Sequence, residues 1–127
     1  MTPHSLLIVE DEIILAKDLE CRLKELGYQV VGIVSTGLAS IAAAEQLSPD
    51  LILMDIRLAG KMDGIDAALE ICKNHDVPVI FLSAYADEQT RQRAEAIKPR
   101  GFLSKLTPDH HLQTAIEAAL TGHSSVA

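Results

Sequence analysis

Leu51-Ile52-Leu53-Met54-Asp55 is a run of four apolar residues ending on an acid. A half-exposed strand alternates apolar with polar side chains, and a helix spaces its apolar residues three and four apart. A short unbroken run bounded by polar residues suits a strand buried on both faces, as in a parallel sheet. Similar runs stand on either side: Leu6-Leu7-Ile8-Val9, Val30-Val31-Gly32-Ile33-Val34, Val79-Ile80-Phe81-Leu82 and, more weakly, Gly101-Phe102-Leu103.

Helical spacing fills the gaps. Ala16, Leu19, Leu23 and Leu26 form a stripe that Gly27 is placed to end. Leu38, Ile41 and Ala42 begin a second stripe, and Ile65, Ala68, Leu69 and Cys72 make a third. The clearest is Leu112, Ala115, Ile116, Ala119 and Leu120, with Thr107 as expected N-cap and Pro108 at the first helical position. The segment 87–98 offers only Ala94, Ala96 and Ile97 for burial, so its helix is expected to be the least firmly packed. Strand and helix alternating five times mean βαβ units with right-handed crossovers, a doubly wound α/β fold with helices on both faces of a parallel sheet.

The 127 residues make one expected domain, residues 1–127, with its core at about 6–121 and a tail at 122–127. Apolar residues form 48 % and charged residues 23 %, which excludes disordered and collagen-like classes. Aromatics are 3 % with no Trp, so the core is aliphatic. A net charge of −7 argues against general binding to nucleic acid or to an anionic membrane surface. The first ten residues lack the pattern of a secretion signal, and no apolar run approaches a membrane span. The chain reads as soluble and cytoplasmic, with Cys21 and Cys72 as reduced, buried thiols.

Ligands of open parallel sheets bind beyond the carboxyl ends of the strands. Glu10, Asp11 and Glu12 follow the first run, Asp55 the third, Ser83 the fourth and Lys105 the fifth. Clustered carboxylates repel one another unless a cation neutralises them, and hard oxygen ligands suit Mg2+. A carboxylate beside such an ion and an ammonium is a competent nucleophile toward phosphorus.

These residues resemble the receiver domain of two-component response regulators, the CheY-like superfamily, from about Leu6 to Leu120. The resemblance is carried by Val9-Glu10-Asp11-Glu12, Leu53-Met54-Asp55, Met62-Asp63-Gly64, Leu82-Ser83-Ala84 and Ser104-Lys105. It implies a flavodoxin-like sheet of order 2-1-3-4-5 with five helices. It implies that Asp55 accepts a phosphoryl group from a sensor histidine kinase or a histidine phosphotransfer protein. Glu10, Asp11, Asp55 and the backbone carbonyl of Arg57 would hold Mg2+. Ser83 and Lys105 would bind phosphoryl oxygens, and Phe102 would be the switch aromatic. The output would be a change in the surface of the fourth helix, fifth strand and fifth helix, acting on a downstream protein or a fused output module. The resemblance also allows a homodimer, or a place within a larger hybrid kinase, and implies no enzyme activity beyond self-catalysed phosphoryl acceptance and autodephosphorylation.

Several positions depart from the family pattern or stay open. Leu106 stands where members usually carry a proline, often after a cis bond. A cis bond before a non-proline costs about 2.5–4 kcal/mol, so the Lys105–Leu106 geometry is open between a trans bond with a shifted loop and a cis bond. The segment 58–64 is one residue longer than the common form, and Gly60 is placed to absorb it. Arg57 could pair with Glu12, screen the phosphoryl group, or simply be exposed. Tyr85 is either near the site or a half-buried loop residue. His110 and His111, adjacent in sequence, are expected on different helix faces, and all five histidines on the surface.

Other functions fit less well. An aspartate-nucleophile phosphohydrolase wants a second Asp where Arg57 stands. A flavodoxin-like cofactor site would be repelled by Glu10, Asp11 and Glu12. A docking module independent of phosphorylation would not need the set of Asp55, Ser83 and Lys105.

Overall fold

A computed structural model describes residues 3–84 and 87–122. The elements alternate along the chain: β1 (Ser5–Val9), α1 (Ile13–Glu25), β2 (Gln29–Val34), α2 (Gly37–Leu47), β3 (Leu51–Asp55), α3 (Gly64–Asn74), β4 (Val79–Ser83), α4 (Glu88–Ala96), β5 (Gly101–Ser104) and α5 (Asp109–Leu120). All neighbouring strands are parallel, in the order β2-β1-β3-β4-β5. This is the doubly wound α/β fold that the alternating pattern predicts.

Each unbroken apolar run splits by residue parity between two cores. Leu6, Ile8, Leu51, Leu53, Ile80 and Leu82 face α1 and α5, where they meet Leu19, Leu23, Leu112 and Ile116. Leu7, Val9, Ile52, Met54, Val79 and Phe81 face the opposite layer, where they meet Ala43, Ala44, Ile65, Ala68 and Ile71. β1, β3 and β4 need apolar side chains on both faces for this reason.

Two helices, α2 and α3, turn a different face inward from the one their large side chains suggest, whereas α5 buries the expected Leu112, Ala115, Ile116 and Ala119 and differs only in where it begins. In α2 the buried positions are Gly37, Ser40, Ala43 and Ala44, while Leu38 is 71 % exposed and Ala42 lies outside. Small residues let this helix sit close to its neighbours, and the Ser40 hydroxyl is satisfied by donating to the Gly37 carbonyl at 2.6 Å. In α3 the inward face is Ile65, Ala67, Ala68 and Ile71, which leaves Leu69 and Cys72 exposed. Cys21 is exposed as well, so neither cysteine is the buried thiol expected. In α5 the helix starts one residue late. Pro108 is the N-cap, with extended ψ of 157°, and offers no side-chain cap. Thr107 is instead committed to a turn in which its N–H donates to the Ser104 carbonyl at 3.0 Å.

α4 is held as loosely as its composition predicts. Ala94 is its one buried residue, Ile97 is half-buried and Ala96 exposed. Its start is fixed by Asp87, whose carboxylate accepts from the Thr90 N–H at 2.8 Å. The rings of His110 and His111 lie 4.2 Å apart rather than on separate faces, because exposed side chains in a first helical turn have room to lean together. His4, His110 and His111 are exposed and His75 half-buried. His123, the rest of the expected tail beyond Gly122, and Tyr85 lie outside the described residues. No helix among the described residues is long and apolar enough to cross a membrane.

Candidate functional site

Parallel register brings four strand ends to one edge. Asp55 closes β3 and Ser83 closes β4, with Asp55 paired to Leu82 and Ser83 to Ser104. Glu10 and Lys105 each extend a ladder by one residue: Glu10 N–H donates to Val34 at 2.9 Å, and Lys105 N–H to Ser83 at 3.0 Å. Glu10, Asp55 and Ser83 are buried, whereas Asp11 and Glu12 are exposed.

The Lys105 ammonium lies 2.7 Å from Glu10 Oε1 and 3.1 Å from Asp55 Oδ2. Backbone donors hold the other carboxylate oxygens. The Glu12 N–H reaches Glu10 Oε2 at 3.2 Å, and the Arg57 N–H reaches Asp55 Oδ1 at 3.3 Å. Two buried carboxylates thus share one ammonium. Burial, and then the neighbouring Glu10, push the Asp55 carboxyl up to about 7, with Lys105 pulling the other way. Burial also opposes the charge on Glu10, but its hydrogen bonds from Lys105 and Asp55 outweigh this and hold it below the usual carboxylate range. Lys105 loses solvation too, yet Glu10 and Asp55 keep its ammonium charged to higher pH than usual.

This charge arrangement makes stability depend on pH. Asp55 carries a raised folded-state pKa, so its contribution is fully present below pH ~4 and is lost as pH rises through about 7. Glu10, shifted the other way, offsets part of that loss. At ~1.4 kcal/mol per unit of pKa, the net fall between pH 5 and 8 is expected to be about 2 kcal/mol in chelator. Urea unfolding of the wild type and of Asp55→Asn over that range checks it. The variant should show a flatter profile, and equal slopes would overturn the charge assignment.

One carboxylate oxygen each from Glu10, Asp11 and Asp55 can be chosen so that all lie within 4.8 Å of one another. Octahedral Mg2+, with its oxygens at about 2.1 Å, needs ligands roughly 3–4 Å apart, and exposed Asp11 is free to swing inward. The donor set is hard, anionic and incompletely neutralised by one ammonium, so it fits a divalent cation. The Arg57 backbone stands at the site through its N–H. Its side chain is exposed and makes no ion pair with Glu12 or any other described residue; the Asp87 carboxyl is held below its usual range chiefly by hydrogen bonds from Thr90, with a smaller contribution from the Arg57 charge.

The Phe102 ring is half-buried, 6.3 Å from the Phe81 ring and capped by the Arg91 guanidinium at 5.0 Å. That cap carries no sequence signal, because it joins a helix to a later strand across the crossover. The Lys105–Leu106 bond is trans, and the Leu106 side chain is 90 % exposed. Gly60 has φ of +93°, which suits the turn expected of it. Gly64 presses on the end of β3: a Cβ there would lie 2.0 Å from the Asp55 carbonyl oxygen. Asp63 caps α3, accepting from the Asp66 N–H at 2.9 Å, and Arg93 bridges to both acids at 3.1 and 3.2 Å.

Comparison with known proteins finds a match between residues 6–117 and the response regulator receiver domain family. The transcriptional regulatory protein PdtaR of Mycobacterium tuberculosis is 35 % identical over 119 residues, covering 94 % of this chain and 58 % of that protein. The chain spans about half the length of the curated relatives it matches. Among solved structures, the signal receiver domain of a modulated diguanylate cyclase from Desulfovibrio desulfuricans superimposes with a TM-score of 0.89 at 35 % identity, covering 94 % of this chain and 95 % of that one. The receiver domain of a sensor histidine kinase from Pseudomonas aeruginosa, solved with a magnesium ion coordinated in its active-site cleft, gives a TM-score of 0.85 at 30 % identity, covering 95 % of this chain and all of that one.

Proposed function

The chain belongs to the response regulator receiver domain family, and on that premise we propose that Asp55 is its phosphoacceptor. The observation that carries this reading is the Lys105 ammonium 3.1 Å from the Asp55 carboxylate, beside two further acids at one sheet edge. The donor would be a phosphohistidine of a sensor histidine kinase or a histidine phosphotransfer protein. A carboxylate oxygen of Asp55 attacks phosphorus in line, the phosphorus–nitrogen bond to the donor histidine breaks, and that imidazole leaves with the electron pair and takes up a proton. Asp55 is left as an acyl phosphate.

Glu10, Asp11, Asp55 and the Arg57 carbonyl would hold Mg2+. The ion would offset charge on the phosphoryl oxygens. Lys105 pairs with one of those oxygens in exchange for its present bond to the carboxylate, and the Ser83 hydroxyl donates to another. Glu12 supports Glu10 through its backbone N–H. Movement of Ser83 toward the phosphoryl group draws Phe102 inward from beneath Arg91, which alters the surface of α4, β5 and α5. A separate target protein or an output module in the same chain would read that surface, in the cytoplasm.

The test is intact mass after incubation with acetyl phosphate and Mg2+. The wild type is expected to gain one phosphoryl group, and Asp55→Asn or omission of Mg2+ to abolish the gain. A wild type that neither gains mass nor binds beryllofluoride would overturn the reading in favour of a docking module that works without phosphorylation.

A further inference from the structure

Among the described residues, the Lys105 backbone is tied down through its N–H alone, while the side-chain ammonium reaches Glu10 and Asp55. Its N–H is the last rung between β4 and β5, and the chain then enters a turn whose internal bonds both end on Ser104. There the Thr107 N–H donates to the Ser104 carbonyl at 3.0 Å, and the Leu106 N–H to the Ser104 hydroxyl at 3.1 Å. Leu106 points into solvent and anchors nothing. Beneath the turn lies a cavity of about 40 Å³ rather than packed side chains, lined by Glu10, Leu19, Arg22, Leu82, Lys105 and Leu112 among others.

Arg22 spans that gap from α1. Its Nη2 donates to the Thr107 carbonyl at 2.7 Å, and its Nε to Asp109 Oδ1 at 2.5 Å. The donor is itself well placed: Leu19 and Leu23 beside it are buried, and Asp18 stands 3.9 Å from Nη1. A guanidinium fork that grips a carbonyl and a carboxylate together fixes direction as well as distance.

We infer that Arg22 is a positioning residue for phosphoryl transfer, holding the 104–109 turn over the cavity so that Lys105 stays aimed at Asp55. This rests on the function proposed above. Arg22 touches no reacting atom, so its effect must pass through Lys105, and a double-mutant cycle separates that route from general loosening of the fold.

The experiment measures the rate of phosphorylation by acetyl phosphate at saturating Mg2+ for the wild type, Arg22→Ala, Arg22→Lys, Lys105→Met and Arg22→Ala/Lys105→Met. Arg22→Ala is expected to slow the reaction about tenfold, as misplacement of a charge-stabilising group does. Arg22→Lys should recover part of the rate through one arm of the fork. In the Lys105→Met background, Arg22→Ala should change the rate less than twofold. Asp109→Asn keeps Arg22 and its Thr107 bond, and should slow the wild-type reaction severalfold even if Arg22→Ala does not fold. An equal loss with and without Lys105, or no loss for Arg22→Ala and Asp109→Asn, would overturn the inference alone. A wild type that is never phosphorylated would overturn it together with the reading it rests on.

Discussion

Gly64→Ala is expected to destabilise the protein by at least about 3 kcal/mol, more than most single substitutions cost. A Cβ at this position would stand 2.0 Å from the Asp55 carbonyl oxygen, 2.9 Å from its carbonyl carbon and 3.0 Å from the Ile56 Cα. All three are backbone atoms, so no rotamer change relieves the clash. The Gly64 N–H also donates to the Ile56 carbonyl at 2.7 Å, so relief by separation breaks a bond at the start of α3. For a domain of this size each kcal/mol moves the melting temperature by roughly 4 °C, and a fall of more than 10 °C follows. Gly60→Ala is the control. Its φ is +93°, but nothing lies within 4 Å of its Cβ position, so only the backbone preference is lost, about 1 kcal/mol. Thermal melts of the two variants side by side decide the matter, and similar melting temperatures would mean that close approach at Gly64 is unimportant.

That contrast shows what was legible in the sequence and what was not. Met62-Asp63-Gly64 stood out as part of a resemblance, with no physical reason attached to its glycine. The reason is a contact between α3 and the end of β3, which no local pattern reveals. The sheet was legible because unbroken apolar runs have one economical explanation, burial on both faces. The clustering of polar residues was legible because parallel strands put everything that follows them on one edge, so Glu10, Asp55, Ser83 and Lys105 could be listed in order before their distances were known. The inward faces of α2 and α3 were less so. A stripe drawn through large side chains passes through Leu38 and Leu69, whereas close packing chose Ser40, Ala43 and Ala67. The Arg22 fork was out of reach because it joins elements distant in the chain, and the Arg91 cap because it depends on how α4 lies against β5, which no local pattern reveals. α4 falls between these cases. Its polarity announced weak packing, but not that Arg91 and Arg93 fasten it to Phe102, Asp63 and Asp66.

Lys105→Met should change stability and metal affinity in opposite directions. Met keeps much of the apolar stem and removes the ammonium, leaving Glu10 and Asp55 buried with no cation between them. Removing one partner of a buried ionic cluster costs about 3–5 kcal/mol, because the remaining charge is neither solvated nor paired. Here the protein has an escape, since Asp55 already retains its proton to about pH 7 and would hold it higher still without Lys105. The loss in chelator is therefore expected to be near 3 kcal/mol at pH 8 and distinctly smaller at pH 5, where Asp55 is protonated in either protein. Lys105 bonds two of the three acids that would receive Mg2+, at 2.7 and 3.1 Å, so it competes with the ion for the same oxygens. Its removal should tighten Mg2+ binding about tenfold at pH 8, equivalent to ~1.4 kcal/mol of relieved repulsion. Saturating Mg2+ should then restore much of the lost stability, by mass action on the folded state. Urea unfolding at both pH values, with and without Mg2+, and calorimetric titration of the ion measure all of this on one pair of proteins. If affinity for Mg2+ falls together with stability, Lys105 organises the acidic site rather than competing for it, and its contacts with Glu10 and Asp55 belong to the ion-bound state as well as to the free one.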